Sequence, residues 1–424
     1  MTASPLAVIE ELVLARAKEE ALDVAAGDAA ERIRQLIRLE IDRWRAEHQH
    51  GERELDLVDP AHVAAAAERN LLGYGPLERL LADDDVWEIM VNAPDEIFVK
   101  RHRGHSGLHH DAFHDDAHVT RVLTKVLDDA SSSHRTLDAA EGLQDAQLDD
   151  GARLHIVHGD VGRGGHLLVN IRRFTGVAYR DLGELVGRGM LTDEAAAFLR
   201  AAVAARCSVL VAGPPGAGKT TLLSGCTAEI DPSLRVVTAE EVFELDVPHP
   251  NVASMQTRAG RPERPAVDLR RLVAGFLRMA PDVAVVGEVR DREALPLLMT
   301  LSSGVTGYAT IHAGSARRAL SRLRFLAQLG DTGSPLPPQA LDALVADSVD
   351  VVVHCARIDG VPRVTEVIAV EEPATSPGST AFTVSQVFTR SATGELVRSG
   401  EVPTRLAGIG GGAAPGAWVA GGVG

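Results

Sequence analysis

Eight residues constrain this chain more than any others: Gly213-Pro214-Pro215-Gly216-Ala217-Gly218-Lys219-Thr220. They fill the pattern G-x-x-x-x-G-K-S/T, and the residues on either side suit it. An apolar strand-like run, Val209 to Ala212, precedes the loop, and a helical run begins at Lys219. In such a loop the glycines let backbone N–H groups turn inward onto phosphate oxygens. The helix N-terminus adds the positive end of its dipole. The same pattern places Lys219 at the β and γ phosphates and Thr220 on Mg²⁺, with Thr221 beside it in the first turn. A Gly-Pro turn that merely happens to precede a lysine would need neither the strand nor the helix. The residues expected to hold the nucleotide are therefore Gly213, Pro214, Pro215, Gly216, Ala217, Gly218, Lys219, Thr220 and Thr221, with ATP and Mg²⁺ as the cofactors.

The chain around this loop alternates. From Cys207 onward, strand-like runs (VLVAG, RVVTAEE, VAVVGE, TIHA) are separated by helical ones (KTTLLSGC, DLRRLVAGFL, ARRALSRLRFLAQL). That alternation predicts a three-layer α/β domain with a mainly parallel sheet. With 424 residues and roughly 150 per domain, more than this one unit is expected. Residues 1–70 read as a helical N-terminal extension, because Ile33, Leu36, Ile37, Ile41 and Trp44 recur at helical spacing. That stripe is expected to pack within its own bundle rather than to dock a partner. Residues 71–173 mix short strands (Val86 to Val91, Glu96 to Lys100, Arg153 to Val157, His166 to Arg172) with a helical run from Thr120 to Ala130. They predict a small α+β domain. Residues 174–190 read as a linker, 191–372 as the ATPase domain with Thr192 capping its first helix, and 373–424 as an extension ending in a flexible Gly/Ala-rich tail.

Charge narrows the partners. Lys plus Arg number 43 against 59 Asp plus Glu, a net −16. Such a surface repels phosphate backbones, so no nucleic-acid partner is expected. Aromatics at 4% supply few platforms for stacking single strands. Three scattered cysteines suit a reducing compartment. The N-terminus lacks the basic region of a signal peptide, and no run of some 18 apolar residues is present. These features predict a cytoplasmic protein.

Hydrolysis of a nucleotide needs acids to hold Mg²⁺ and order a water. The buried-strand pattern Val283 to Val286 ends in Gly287-Glu288, and Val236 to Ala239 ends in Glu240-Glu241. Both acid positions fall where ligands bind in open α/β sheets, at the carboxyl ends of strands. His312 ends a third such run, Tyr308 to Ile311, where it can bond the γ-phosphate or a catalytic glutamate. Glu288, Glu240, Glu241 and His312 are therefore the candidate catalytic residues, and Thr220 and Glu288 the candidate metal-holding pair.

In this order and spacing, these elements resemble the secretion ATPase superfamily of type II and type IV secretion and type IV pili, and within it the CpaF/TadA-type motor of the Flp (tight-adherence) pilus. The similarity runs from about Gly73 to Val370. Gly73-Tyr74-Gly75-Pro76-Leu77, Glu88-Ile89-Met90-Val91-Asn92 and Ile171-Arg172-Arg173-Phe174 resemble that branch's N-terminal domain. Thr238-Ala239-Glu240-Glu241 sits at its "Asp box", Gly287-Glu288-Val289-Arg290 at its Walker B, and Thr310-Ile311-His312-Ala313 at its "His box".

The resemblance implies a RecA-like P-loop core behind the α+β domain, a homo-hexameric ring, and inner-membrane platform proteins as partners. It also implies a peripheral position on the inner face of the membrane, and a motor coupling ATP hydrolysis to pilus assembly or protein secretion. Phosphate-neutralising arginines are implied as well, for which Arg172 and Arg173, then Arg153, are the candidates by position; such charge stabilises a transferring phosphoryl group.

The chain departs from that pattern in four places. Gln147 stands in Asp145-Ala146-Gln147-Leu148 where arginine is usual, Glu241 replaces Asp, Gly304 takes an earlier histidine's place, and Pro214-Pro215 replaces Gly-Thr. These changes keep open a nucleotide-gated scaffold that does not hydrolyse ATP. A nucleic-acid motor on the same core is the other alternative, and the acidic charge opposes it. Finally, His102, His105, His109, His110, His114 and His118 crowd one segment with Asp111, Asp115 and Asp116. Such a tract can bind Zn²⁺, but it lacks cysteine and reads as a variable loop, which seldom holds ligands rigidly.

Overall fold

The computed structural model describes residues 4–22, 29–101, 104–130, 136–173, 181–258, 260, 265–330, 336–372, 382–391 and 393–406. His102, residues 174–180 of the expected linker and the Gly/Ala tail from 407 lie outside them. The chain forms two compact units, Met1–Thr175 and Gly176–Gly424.

The first unit opens with three helices, α1 (Pro5–Glu19), α2 (Ala29–Gln49) and α3 (Pro60–Leu72). Ser4 and Asp59 cap α1 and α3 by accepting the N–H of Ala7 and His62, and each helix carries proline in its first turn, where no N–H is needed. The predicted stripe of α2 is buried against Ile9 and Val13 of α1 and Ala67 of α3. It is a bundle core. A short helix, α4 (Leu77–Ala82), leads into β1 (Val86–Ala93), β2 (Glu96–Arg101) and β3 (Gly107–Leu108), followed by α5 (Asp116–Asp129), β4 (Leu143–Gln147), β5 (Arg153–Val157) and β6 (Leu168–Arg172). These strands make one sheet in the order β3-β2-β1-β6-β5-β4, antiparallel throughout. One face carries Ile89, Val91, Leu154, Ile156, Val169 and Ile171, covered by Val119, Val122, Leu123 and Val126 of α5.

The second unit begins with α6 (Leu182–Gly187), inside the stretch expected to be linker, and its Leu182 and Leu185 are buried in the core. Thr192 caps α7 (Asp193–Ala204) through the N–H of Ala195, as expected. Then follow β7 (Val209–Ala212), α8 (Lys219–Thr227), β8 (Val236–Glu240), β9 (Val252–Gln256), α9 (Leu269–Val273), β10 (Val283–Val289), α10 (Ala294–Leu301), β11 (Thr306–Ile311), α11 (Ala316–Gly330) and α12 (Pro338–Ser348). The order ends with β12 (Val351–Ile358), β13 (Val361–Val370), β14 (Val384–Arg390) and β15 (Leu396–Arg398).

The nine strands lie in the order β15-β14-β13-β12-β7-β11-β10-β8-β9. From β12 to β9 every neighbouring pair is parallel, and β13 to β15 add an antiparallel wing. Side chains alternate across a strand, so Val209 and Val211 enter one core with α6, α7 and α8. Leu210 and Ala212 enter the other with α9 to α12. This is an α/β fold with a mostly parallel sheet covered on both faces. Residues beyond 373 do more than trail from it: Phe388 of β14 and Leu396 of β15 belong to the first core.

Candidate functional site

β7 is a central strand, flanked by β12 and β11, and the loop Gly213–Gly218 leaves its carboxyl end. Three glycines here have backbone angles that a side chain resists: φ is +154° at Gly213, +70° at Gly216 and +86° at Gly218. At two of them space is lacking too. A Cβ on Gly213 would lie 2.3 Å from the Cys355 carbonyl oxygen, and one on Gly218 would lie 2.9 Å from Pro362 Cβ. Arg357 of β12 braces the loop by donating from Nη1 to Gly216 O at 3.0 Å. Gly218 is the N-cap of α8 and has no side chain to cap it. The first-turn N–H groups of a helix have no acceptor within the helix, so the loop and α8 fit a phosphate group. Thr220 and Thr221 are half-buried in that first turn, and Pro214 and Pro215 are exposed on the rim.

Lys219 is buried, and its ammonium group donates to Pro214 O at 3.2 Å. It also lies 3.2 Å from His312 Nδ1. Strand register brings these two together: Ile311 of β11 pairs with Ala212 of β7, so His312 emerges beside Gly213, whose carbonyl is 3.2 Å from the same nitrogen. On the far side of the ring, His312 Nε2 lies 2.9 Å from Glu288 Oε1. Lysine can only donate. A neutral ring with its proton on Nε2 therefore accepts from Lys219 and donates to Glu288, joining the phosphate lysine to the acid at the end of β10.

A break in strand register aims Glu288. Along β10 and β11, Val286 pairs with Ala309 and Val289 with Ile311, so Gly287 and Glu288 stand opposite the single residue Thr310. This is a β-bulge, which bends a strand and redirects its side chains. Thr310 fixes it by donating from its hydroxyl to Gly287 O at 2.6 Å. Glycine is required at 287 for a further reason: a Cβ there would lie 2.9 Å from Glu240 Cγ on the adjoining β8. The missing Walker B aspartate thus has a steric cause.

The glutamates divide their work. Glu240 is buried, and its Oε2 accepts the N–H groups of Glu244 at 2.9 Å and Leu245 at 3.0 Å, which holds the loop after β8. Glu241 and Glu288 are instead joined by Arg290. Its guanidinium donates from Nη1 to Glu241 Oε2 at 2.6 Å and from Nε to Glu288 Oε1 at 2.5 Å. Burial alone would push the Glu288 carboxyl up, but the bonds from His312 and Arg290 outweigh it and hold the group down at about 2. Glu288 is an anion at neutral pH, as a metal- or water-ordering group must be. Arg290 carried no assignment from the sequence beyond its place in the Gly-Glu-Val-Arg quartet, and only folding sets it between two acids 49 and 2 residues away. Thr220 and Glu288 remain chemically suited to Mg²⁺, as hydroxyl and carboxylate oxygens.

The candidate arginines belong to the first unit. Arg172 ends β6, paired in register with Glu88 of β1 and Arg153 of β5. Arg173 has other employment: its Nη1 donates to the carbonyls of Leu80 at 3.2 Å, Val86 at 3.1 Å and Asp83 more closely still. Through that nitrogen Arg173 holds the turn between α4 and β1. Of the departures, Gly304 has φ +98° in the turn after α10, where a histidine would be strained.

The family model for "Type II/IV secretion system protein" matches residues 70–361, more than half of the chain. The chain belongs to this family. Within it, the chain is 35% identical over 300 residues to a putative conjugal transfer protein of Mycobacterium tuberculosis, covering 68% of this chain and 82% of that one. It is 32% identical over 307 residues to the type IV secretion system protein PtlH of Bordetella pertussis, covering 66% and 88%. Among solved structures, the VirB11 ATPase of the Brucella suis type IV secretion system is similar at 27% identity, with 69% of this chain and 94% of that chain covered and a TM-score of 0.37. Among the described residues of this family member, no helix is long and apolar enough to cross a membrane.

Proposed function

We propose that this chain is an ATPase motor that works as a homo-hexamer and couples ATP hydrolysis to assembly of a type IV pilus of the Flp/Tad kind, or to type II/IV secretion. One observation carries the catalytic part: Lys219, His312 and Glu288 form a continuous hydrogen-bonded line from the phosphate loop to an ionised acid. Bound phosphate would compete for Lys219 with Pro214 O and His312, so occupation of the loop changes what the histidine ring accepts, and hence its hold on Glu288. Thr220 directly, and Glu288 through water, would hold Mg²⁺, which spreads positive charge over the transferring phosphoryl group. Glu288 or Glu241 would orient the lytic water. Arg172 and Arg173, then Arg153, are the candidates for added positive charge, and the ring would meet the inner face of the membrane through platform proteins.

Steady-state phosphate release, measured beside ATP binding and sizing with and without nucleotide, tests this reading. Lys219→Ala should abolish hydrolysis, with circular dichroism and melting unchanged, while the wild-type protein hydrolyses ATP as a hexamer. Wild-type turnover in Lys219→Ala would overturn the mechanism. ATP binding without phosphate release by the wild type would establish a nucleotide-gated scaffold instead, and stimulation by DNA at low salt would favour a nucleic-acid motor.

A further inference from the structure

The histidine tract of the first unit does not behave as a loop throughout. His118 lies in the first turn of α5, where Asp115 caps the helix by accepting its N–H at 2.7 Å. The ring is turned inward, 1% exposed, and its Nε2 has no hydrogen-bond partner. Leaving a buried polar atom unpaired costs about 1–3 kcal/mol. His114 precedes it by four residues, with ring centroids 4.9 Å apart. Both face Glu10, which is carried by α1 and is 3% exposed.

Glu10, His114 and His118 each offer one ligating atom, and all three atoms lie within 4.8 Å of one another. His114 Nε2 is already 3.1 Å from Glu10 Oε1. Asn70 of α3 joins them, its Nδ2 donating to the same Glu10 oxygen at 2.7 Å and lying 3.4 Å from His114 Nε2. Gly75 keeps the space beside them open: with φ +56°, a Cβ there would meet His118 Nε2 at 3.1 Å and Asn70 Oδ1 at 3.3 Å. The second oxygen of Glu10 is the one that faces Arg121, at 3.9 Å, so the arginine and a ligand would use different oxygens.

We propose that Glu10, His114 and His118 form a binding site for a zinc-class divalent ion that ties the N-terminal helix α1 to α5. Two imidazoles and a carboxylate are a donor set for Zn²⁺, Co²⁺ or Ni²⁺ rather than for Mg²⁺ or Ca²⁺. Tetrahedral Zn²⁺ with bonds near 2.0–2.1 Å sets its ligand atoms roughly 3.3 Å apart, a spacing these side chains reach with small rotations. Rotation of the Asn70 amide, which exchanges its O and N, offers an oxygen as the fourth ligand. The rigidity that a loop would lack comes from the elements themselves, since Glu10, Asn70 and His118 stand on three helices. The ligands are far apart in sequence, so an ion here holds the helical extension to the α+β domain.

The experiment uses the full-length protein without a polyhistidine tag. Equilibrium dialysis against Zn²⁺ should retain one ion per chain, and Co²⁺ should give the intense visible d–d absorption of a low-coordinate site. His114→Asn, at the solvent edge, and Glu10→Gln should each weaken binding at least tenfold, whereas a His105→Asn/His110→Asn variant should bind as the wild type does. Absence of stoichiometric binding by the folded wild type would overturn the proposal. So would undiminished binding in His114→Asn, or loss confined to the His105/His110 variant. If Glu10→Gln fails to fold, the His114→Asn result and the cobalt spectrum decide.

Discussion

Replacing Gly287 by aspartate would restore the acid that P-loop NTPases usually carry there, and in this chain it should be destructive. The position is closed by Glu240: a Cβ on Gly287 would stand 2.9 Å from Glu240 Cγ and 3.3 Å from its Oε2. To admit it, Glu240 must turn and give up the N–H groups of Glu244 and Leu245 that its Oε2 now accepts at 2.9 and 3.0 Å. Hydrogen bonds to a charged group are worth about 1.5–3 kcal/mol each, so losing both costs about 3–6 kcal/mol. A second carboxylate beside a 2% exposed Glu240 adds repulsion to that loss. Gly287→Ala brings the overlap without the charge and should cost about 1–3 kcal/mol. Urea or thermal unfolding of the full chain, followed at pH 7, should therefore rank wild type above Gly287→Ala and that above Gly287→Asp. Phosphate release should fall in parallel as the bulge that aims Glu288 is displaced. An aspartate variant as stable as the wild type and equally active would refute the steric account of why glycine stands here.

Two further outcomes follow from the geometry. The Glu288 carboxyl is held at about 2 against an ordinary 4.5. Its ionised form therefore stabilises the fold by about 3 kcal/mol, in full above pH 4.5 and progressively lost as pH falls towards 2. Melting curves between pH 6 and 3 should show Glu288→Gln less pH-sensitive than wild type, and identical slopes would dispose of the ion-pair assignment. Arg173→Met should lower the melting temperature of the first unit, because it strands the carbonyls of Leu80, Asp83 and Val86. A variant with normal melting but strongly reduced turnover would instead return Arg173 to the phosphate.

What the sequence determined was local. A strand, a glycine-rich turn and a helix starting at Lys219 are set by neighbours within a dozen residues, as are the Thr192 cap and the hairpin of β1 and β2. The apolar alternation fixed an α/β core, and the ends of its strands marked where Glu240, Glu241, Glu288 and His312 would gather. What tertiary structure decided was which of those acids face which cation. Ala239 of β8 pairs with Val286 of β10 across 47 residues of sequence (286 − 239), and only that pairing reveals that Glu240 closes over Gly287. The bulge at Gly287-Glu288 depends on the partner strand's register, and so does the bridging position of Arg290. Arg173 shows the same limit, since a basic residue beside a strand end looks alike whether its donors meet phosphate or three carbonyls some ninety residues back. Glu10 shows it most plainly. In sequence it is one acid in the helical N-terminal extension, and its meeting with His114 and His118 depends on contacts more than a hundred residues apart. Periodicity and motif spacing carry information along the chain, whereas charge pairing and ligand sets are fixed by which surfaces the burial of apolar area brings together.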